Sequence, residues 1–192
     1  MRYRRADTTG GTYFFTVNLA ERHSDLLVRH IEDLRTVIQR VKEAYPFVTL
    51  AMVVLPEHLH AVWRLPPGDA DYPLRWSQIK AGFSRRLPKD ERIRASRKIK
   101  RERGIWQRRY WEHQVRDEAD LARHVDYIHY SPVKHGWVGR PVDWLHSTLH
   151  GYIERGILTP DWVCRRTMES MAMVRAEMLG FISFSPTYAG CL

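Results

Sequence analysis

The chain has 192 residues, 44% hydrophobic and 28% charged, with seven Trp, nine Tyr and six Phe: enough apolar surface for one domain with its own core, and too much for a disordered chain. No stretch approaches the roughly 20 apolar residues of a membrane span, and "MRYRRADTTGG" lacks the apolar core of a secretory signal, so a cytoplasmic protein with no membrane partner is expected. The net charge of +9 is concentrated: residues 85–109 hold 12 of the 31 Lys and Arg but 3 of the 22 Asp and Glu, leaving 19 of each sign elsewhere, the footprint of a polyanion-binding surface or of a solvated loop.

"GGTYFFTVNLA" (10–20) alternates Phe15, Val17 and Leu19 against Tyr13 and its neighbours, which predicts a first strand. In "HIEDLRTVIQRVKEAYP" (30–46), Ile31, Leu34, Val37, Ile38 and Val41 recur at helical intervals up to Pro46, predicting an amphipathic helix. "FVTLAMVVL" (47–55) and "HLHAVWRL" (58–65) read as two apolar strands, and a link as short as Pro56 and Glu57 implies an antiparallel pair. After the turn residues "PPGDADYP", the positions Leu74, Ile79, Phe83 and Leu87 predict a helix over 74–87, ended by Pro88. "IWQRRYWEHQV" (105–115) reads as a loop running into a fourth strand. "DEADLARHVDYIHYSP" then has Asp117 as N-cap, acidic residues in its first turn and an expected end before Pro132.

The order β α β β α β α predicts an α+β fold, the ferredoxin-like split βαβ arrangement with an antiparallel sheet, plus an added helix. Residues 133–162 should pack on this body as loops and short helices, with Trp137 and Trp144 in the core, giving a domain over 1–162 and a loosely attached tail over 163–192. Cys164 and Cys191 have no CxxC spacing, so reduced thiols are expected.

His58 and His60 alternate with Leu59 along the third strand and therefore share a face, where two imidazoles can aim at one divalent cation. Ten His in this length yield about 0.5 such pairs by chance, so the pair needs context. On the helix after Asp117, Val125 and Ile128 fall within about 40° of Leu121, whereas Tyr127 lies about 120° away beside Asp120, Arg123, His124 and Ser131. Off the apolar stripe, Tyr127 is either an ordinary half-exposed side chain or a nucleophile. His146 and His150 have the i, i+4 spacing of a helical zinc pair but lack the glutamate of HExxH. His124 and His129 point to different helix faces, and His113 closes the fourth strand.

"PEHLHAVWRLP", "GIWQRRYWEHQVRDEADLARHVDYIHYSPVKHGWV" and "TGGTYFFTVNL" together resemble the REP-associated tyrosine transposases, single-tyrosine members of the HUH (His, hydrophobic residue, His) nuclease superfamily, over about residues 2–162. That resemblance implies His58 and His60 as metal ligands and Tyr127 as nucleophile. It places Ser131 where the family has an Asn or Gln that completes the metal site; a hydroxyl is the poorer ligand. It also implies that the DNA is met by the N-terminal arm with Arg4, Arg5, Gly10 and Gly11, and by Arg75, Lys80, Arg85 and Arg86 of the helix 74–87. Arg108 and Arg109, interleaved with Trp106, Tyr110 and Trp111, offer phosphate contacts and stacking faces, and Arg123, beside the tyrosine, is a further candidate DNA contact.

Two imidazoles with oxygen ligands and open positions suit Mg²⁺ or Mn²⁺. A phenol of pKa near 10 is a weak nucleophile at neutral pH, so the phosphate it attacks must be polarised. The expectation is metal-dependent cleavage and rejoining of single-stranded, REP-type hairpin DNA through a 5′-phosphotyrosine, by a monomer, with a homodimer as the alternative. The rival readings are a non-catalytic nucleic-acid-binding protein derived from a transposase and a structural ferredoxin-like module; the latter leaves the charge block and the imidazole pair unexplained.

Overall fold

The structure is a computed structural model that describes residues 9–89 and 103–163. Arg4 and Arg5, residues 90–102 of the basic segment and residues 164–192, with both cysteines, lie outside the described residues. The described residues form two compact units: one runs up to Leu50 and resumes over Val54–Gln114, the other joins Ala51–Val53 to the residues from Val115 onward.

Strand β1 (Thr12–Asn18) is followed by a short helical turn, α1 (Leu26–Arg29), and by α2 (Ile31–Ala44). Strands β2 (Val48–Val54) and β3 (His58–Arg64) come next, then α3 (Tyr72–Arg86) and β4 (Trp111–Gln114). The four strands make one sheet in the order β2-β3-β1-β4, with β1 antiparallel to both β3 and β4. This is the α+β, split βαβ arrangement that the element order predicts. A longer helix, α4 (Glu118–Lys134), a 3₁₀ turn (Pro141–Asp143) and α5 (Leu149–Glu154) follow. Among the described residues no helix is long and apolar enough to cross a membrane.

Period-2 alternation sends Tyr13, Phe15 and Trp63 to one face of the sheet, where α3 covers them. Trp76 stacks on Trp63 with centroids 4.1 Å apart and meets Phe15 edge-on at 5.4 Å, while Tyr72 lies 4.8 Å from Tyr13. Asp71 caps α3 by accepting the Leu74 N–H at 3.0 Å, and Pro73 stands in the first turn, where its missing N–H costs nothing.

Helix α2 packs on α3 at Gly82, where an added Cβ would lie 2.7 Å from Val37 Cγ1. Glycine is therefore required for close approach even though alanine favours helix by about 1 kcal/mol. Gly82→Ala is expected to lower stability by about 1–2 kcal/mol, since overpacking outweighs that propensity gain. Urea unfolding checks it, and in Gly82→Ala/Val37→Ala the two losses should be less than additive.

Helix α4 runs through Pro132 rather than ending before it. Proline lacks only its own N–H, and the last turn is closed without it: His135 N–H donates to Ser131 O at 3.0 Å and Trp137 N–H to Pro132 O at 2.9 Å. Trp137, expected in the core, is 49% exposed and rests near Trp144, with centroids 6.3 Å apart.

Candidate active site

In the first unit the sheet face opposite α3 carries the imidazole pair. The register sets Thr16 opposite His60 and Asn18 opposite His58, while β4 adds Trp111 beside Thr16 and His113 beside Phe14. Both imidazoles are buried, His58 at 6% and His60 at 1% exposure, with ring centroids 4.8 Å apart. Thr16 Oγ1 lies 2.9 Å from His60 Nδ1, and Glu57 Oε1 lies 2.9 Å from His58 Nδ1. Each ring thus has Nδ1 engaged by a neighbour, which selects Nε2 as the nitrogen to face a cation, the usual way in which a threonine or carboxylate orients a ligating histidine. Glu57 was visible in sequence only as a link residue; its role comes from the turn that sets its carboxylate beside the next side chain. His60 also stacks on Phe14 at 5.6 Å, and His113 on Trp111 at 5.8 Å, so His113 shares the face of the pair.

In the second unit α4 carries Tyr127. Asp117 accepts the Asp120 N–H at 2.7 Å, and Asp120 in turn accepts the Arg116 N–H at 3.0 Å, so an orphan donor of the first turn and the amide just before the N-cap are both satisfied by acidic side chains. Tyr127 is not half-exposed, as its offset from Leu121 suggested, but only 3% exposed. Beside buried Ile128, His129 and Pro132, α4 carries a buried polar stripe: Asp120, His124, Tyr127 and Ser131 follow one another at spacings of four, three and four. Each of the first three is hydrogen-bonded: Asp120 to Arg123 at 3.0 Å, His124 Nδ1 to Asp120 O at 2.8 Å, and Tyr127 Oη to Lys134 Nζ at 3.1 Å. Ser131 is fully buried, and its Oγ meets no hydrogen-bond partner among the described residues. A buried hydroxyl of this kind is chemically able to serve as an oxygen ligand to a cation.

His129, off this stripe, is fully buried against Tyr152 at 4.9 Å and lies 3.1 Å, by Nε2, from Thr148 Oγ1; burial pushes its pKa down to about 4, which keeps it neutral. His146 precedes α5 instead of sharing it with His150, so the pair never gains its helical spacing.

Two of the basic residues expected to meet DNA are engaged within the fold. Arg75 is 2% exposed, with its guanidinium on both carboxylate oxygens of Asp69 at 3.1 and 2.5 Å and on the carbonyls of Tyr45, Pro46 and Asp71. Lys80 donates to Gln107 O at 3.0 Å and sits 5.0 Å from the Tyr110 ring centre, and burial lowers its ammonium pKa to about 8. Arg123 is held by Asp120, and Arg86 pairs with Asp33 at 2.8 Å. Arg85, Arg108 and Arg109 are exposed.

Gly10 adopts φ 72°, and an added Cβ would lie 3.2 Å from the Pro67 backbone, which gives that glycine a structural reason; the Gly11 carbonyl accepts from Leu65 N–H at 3.1 Å. Arg103, whose signal in sequence was only charge, turns its guanidinium onto the carbonyls of Ser84, Leu87 and Pro88 and so caps the C-terminus of α3.

No family model matches the chain. It is 45% identical over 161 residues, 83% of its length and 92% of the relative's, to a Haemophilus influenzae protein named for the REP-associated tyrosine transposases. It is likewise 45% identical over 160 residues to the REP-associated tyrosine transposase of Escherichia coli, covering 83% of this chain and 89% of that one. A solved structure of a REP-associated tyrosine transposase bound to a REP hairpin superposes with a TM-score of 0.74 at 44% identity, covering 85% of this chain and 91% of that one. With buried, oriented imidazoles on its third strand and a lysine-bound tyrosine on its added helix, the chain belongs to the REP-associated tyrosine transposases.

Proposed function

We propose that this protein cleaves and rejoins single-stranded hairpin DNA of the REP type, with Tyr127 as the nucleophile. The observation that carries the reading is the pair of buried imidazoles whose Nδ1 atoms are engaged by Thr16 and Glu57. Support for the substrate is the 44% identical relative, which was solved with a REP hairpin. His58 and His60, with Ser131 as an oxygen donor, would hold Mg²⁺ or Mn²⁺. When bound, such a cation draws charge from the phosphate and makes its phosphorus open to attack.

The chemistry of the chain's own residues is then a transesterification. The bond from Tyr127 Oη to phosphorus forms as the bond from phosphorus to the upstream 3′-oxygen breaks; the phenol proton is released to solvent, and the departing 3′-oxygen takes one up. The product is a 5′-phosphotyrosine and a free 3′-hydroxyl. One ester replaces another, so the reverse attack by a 3′-hydroxyl reseals a strand without an energy source. Exposed Arg85, Arg108 and Arg109 supply phosphate contacts.

The test uses a REP-type hairpin labelled at its 3′ end, incubated with the full chain and Mn²⁺ and then denatured. A covalent protein–DNA species is expected that maps to Tyr127 by mass spectrometry. It should vanish on chelation or in His60→Ala, which should also weaken Mn²⁺ binding at least tenfold by calorimetry. Tight hairpin binding with no adduct across a panel of family hairpins would overturn the reading in favour of a DNA-binding protein without catalysis.

A further inference from the structure

Lys134 stands seven residues after Tyr127 on α4, two turns and about 20° from being directly above it, and helical side chains lean toward the N-terminus. Its ammonium is therefore delivered back onto the tyrosine. Nζ lies 3.1 Å from Tyr127 Oη and 4.3 Å from the centre of the ring, so one cation contacts both the hydroxyl oxygen and the π face of a phenol that is 3% exposed. A lysine in the last turn of a helix gains from the helix dipole simply by reaching C-terminally to water. This one turns the other way, onto the oxygen and ring of Tyr127.

From this geometry we infer that Lys134 is the positioning residue of the nucleophile. It fixes the ring through the cation–π contact, and its N–H aims at the oxygen on which negative charge grows as the phenol is engaged. An ammonium cannot take up the phenol proton; it favours the oxygen that has lost it. Lys134 touches neither phosphate nor cation in this role, and acts through Tyr127. The inference rests on the reading of Tyr127 as nucleophile, and its test separates the two.

The full chain is prepared with ¹³Cζ-tyrosine, and the Tyr127 signal is identified by its loss in Tyr127→Phe. Without DNA or metal, Lys134→Met is expected to move that signal and broaden it as the ring loses its anchor, while Lys134→Arg, which keeps a cationic donor, leaves it close to wild type. At saturating hairpin and Mn²⁺, single-turnover adduct formation should fall 10–100-fold in Lys134→Met and recover to within several-fold in Lys134→Arg, with hairpin affinity changed less than twofold. An unmoved Tyr127 signal in a folded Lys134→Met overturns the inference whatever the activity does. So does a loss of hairpin affinity that accounts for the whole rate change, since Lys134 would then be a phosphate contact. Should Lys134→Met fail to melt cooperatively, Lys134→Gln takes its place under the same criteria. If the wild type forms no adduct while its Tyr127 signal still depends on Lys134, the nucleophile reading has failed and the contact between the two side chains stands.

Discussion

Tyr127→Phe is expected to abolish the covalent adduct on hairpin DNA, to below a thousandth of the wild-type yield, while binding the same hairpin within about twofold. The substitution removes one oxygen and leaves the ring in place. Because Tyr127 is 3% exposed, its ring also fills space, and a change to alanine would confound loss of chemistry with loss of packing. Phenylalanine keeps the volume and the face beneath Lys134, and gives up the hydrogen bond to Nζ. That loss costs about 1 kcal/mol of stability, the usual net contribution of one hydrogen bond. Denaturing electrophoresis reads the adduct, fluorescence anisotropy the affinity, and a melt the stability. Adduct formation that persists in Tyr127→Phe would place the nucleophile elsewhere.

Arg75→Met is expected to produce the largest loss of stability, about 3 kcal/mol, with no specific loss of hairpin affinity once the protein is folded. The guanidinium makes five hydrogen bonds, two to Asp69 and three to main-chain carbonyls. Those carbonyls end α2 and enter α3, so a single side chain ties a helix exit, a loop and a helix entry together. Methionine fills the stem but leaves the carbonyls and the carboxylate facing an apolar group, and breaking a buried pair from one side costs roughly 3–5 kcal/mol. The lower end applies because Asp69, at 30% side-chain exposure, can turn to water.

The acid limb supplies a second readout. Hydrogen bonding to Arg75 holds the Asp69 carboxyl below its ordinary value, so this pair's stabilisation is present above the unfolded carboxylate pKa and is lost as pH falls through the lowered folded value. In Arg75→Met that part of the slope should disappear. Urea melts at neutral and acidic pH check both statements.

Apolar periodicity made the sheet and its helices legible. Leu34, Val37 and Val41 line α2, and the alternation in β3 places the two imidazoles on the face away from Trp63 and α3. It failed where burial is polar. In α4 the eye follows Leu121, Val125 and Ile128, yet Leu121 and Val125 are only partly buried while Asp120, His124 and Tyr127 are sealed by partners that no periodic pattern displays. The burial of Arg75 is hidden in sequence for a related reason. Three of its partners are backbone carbonyls and the other is an aspartate in the preceding loop, none of which marks an arginine as internal. Pro132 argued for an early stop because a sequence shows the N–H that proline lacks and conceals the later amides that close the turn.

The strand bearing His58 and His60 is not at the rim of the sheet: β2 flanks it on one side and β1 on the other. Sliding it by one residue would break both ladders at once and turn both imidazoles toward α3. The spacing between the rings is thus inherited from main-chain pairing, and exposed side chains elsewhere can change without shifting it. Altered hairpin preference should be reachable by substitution at Arg108 or Arg109, on the connection that leads into the rim strand β4, with the imidazole pair undisturbed.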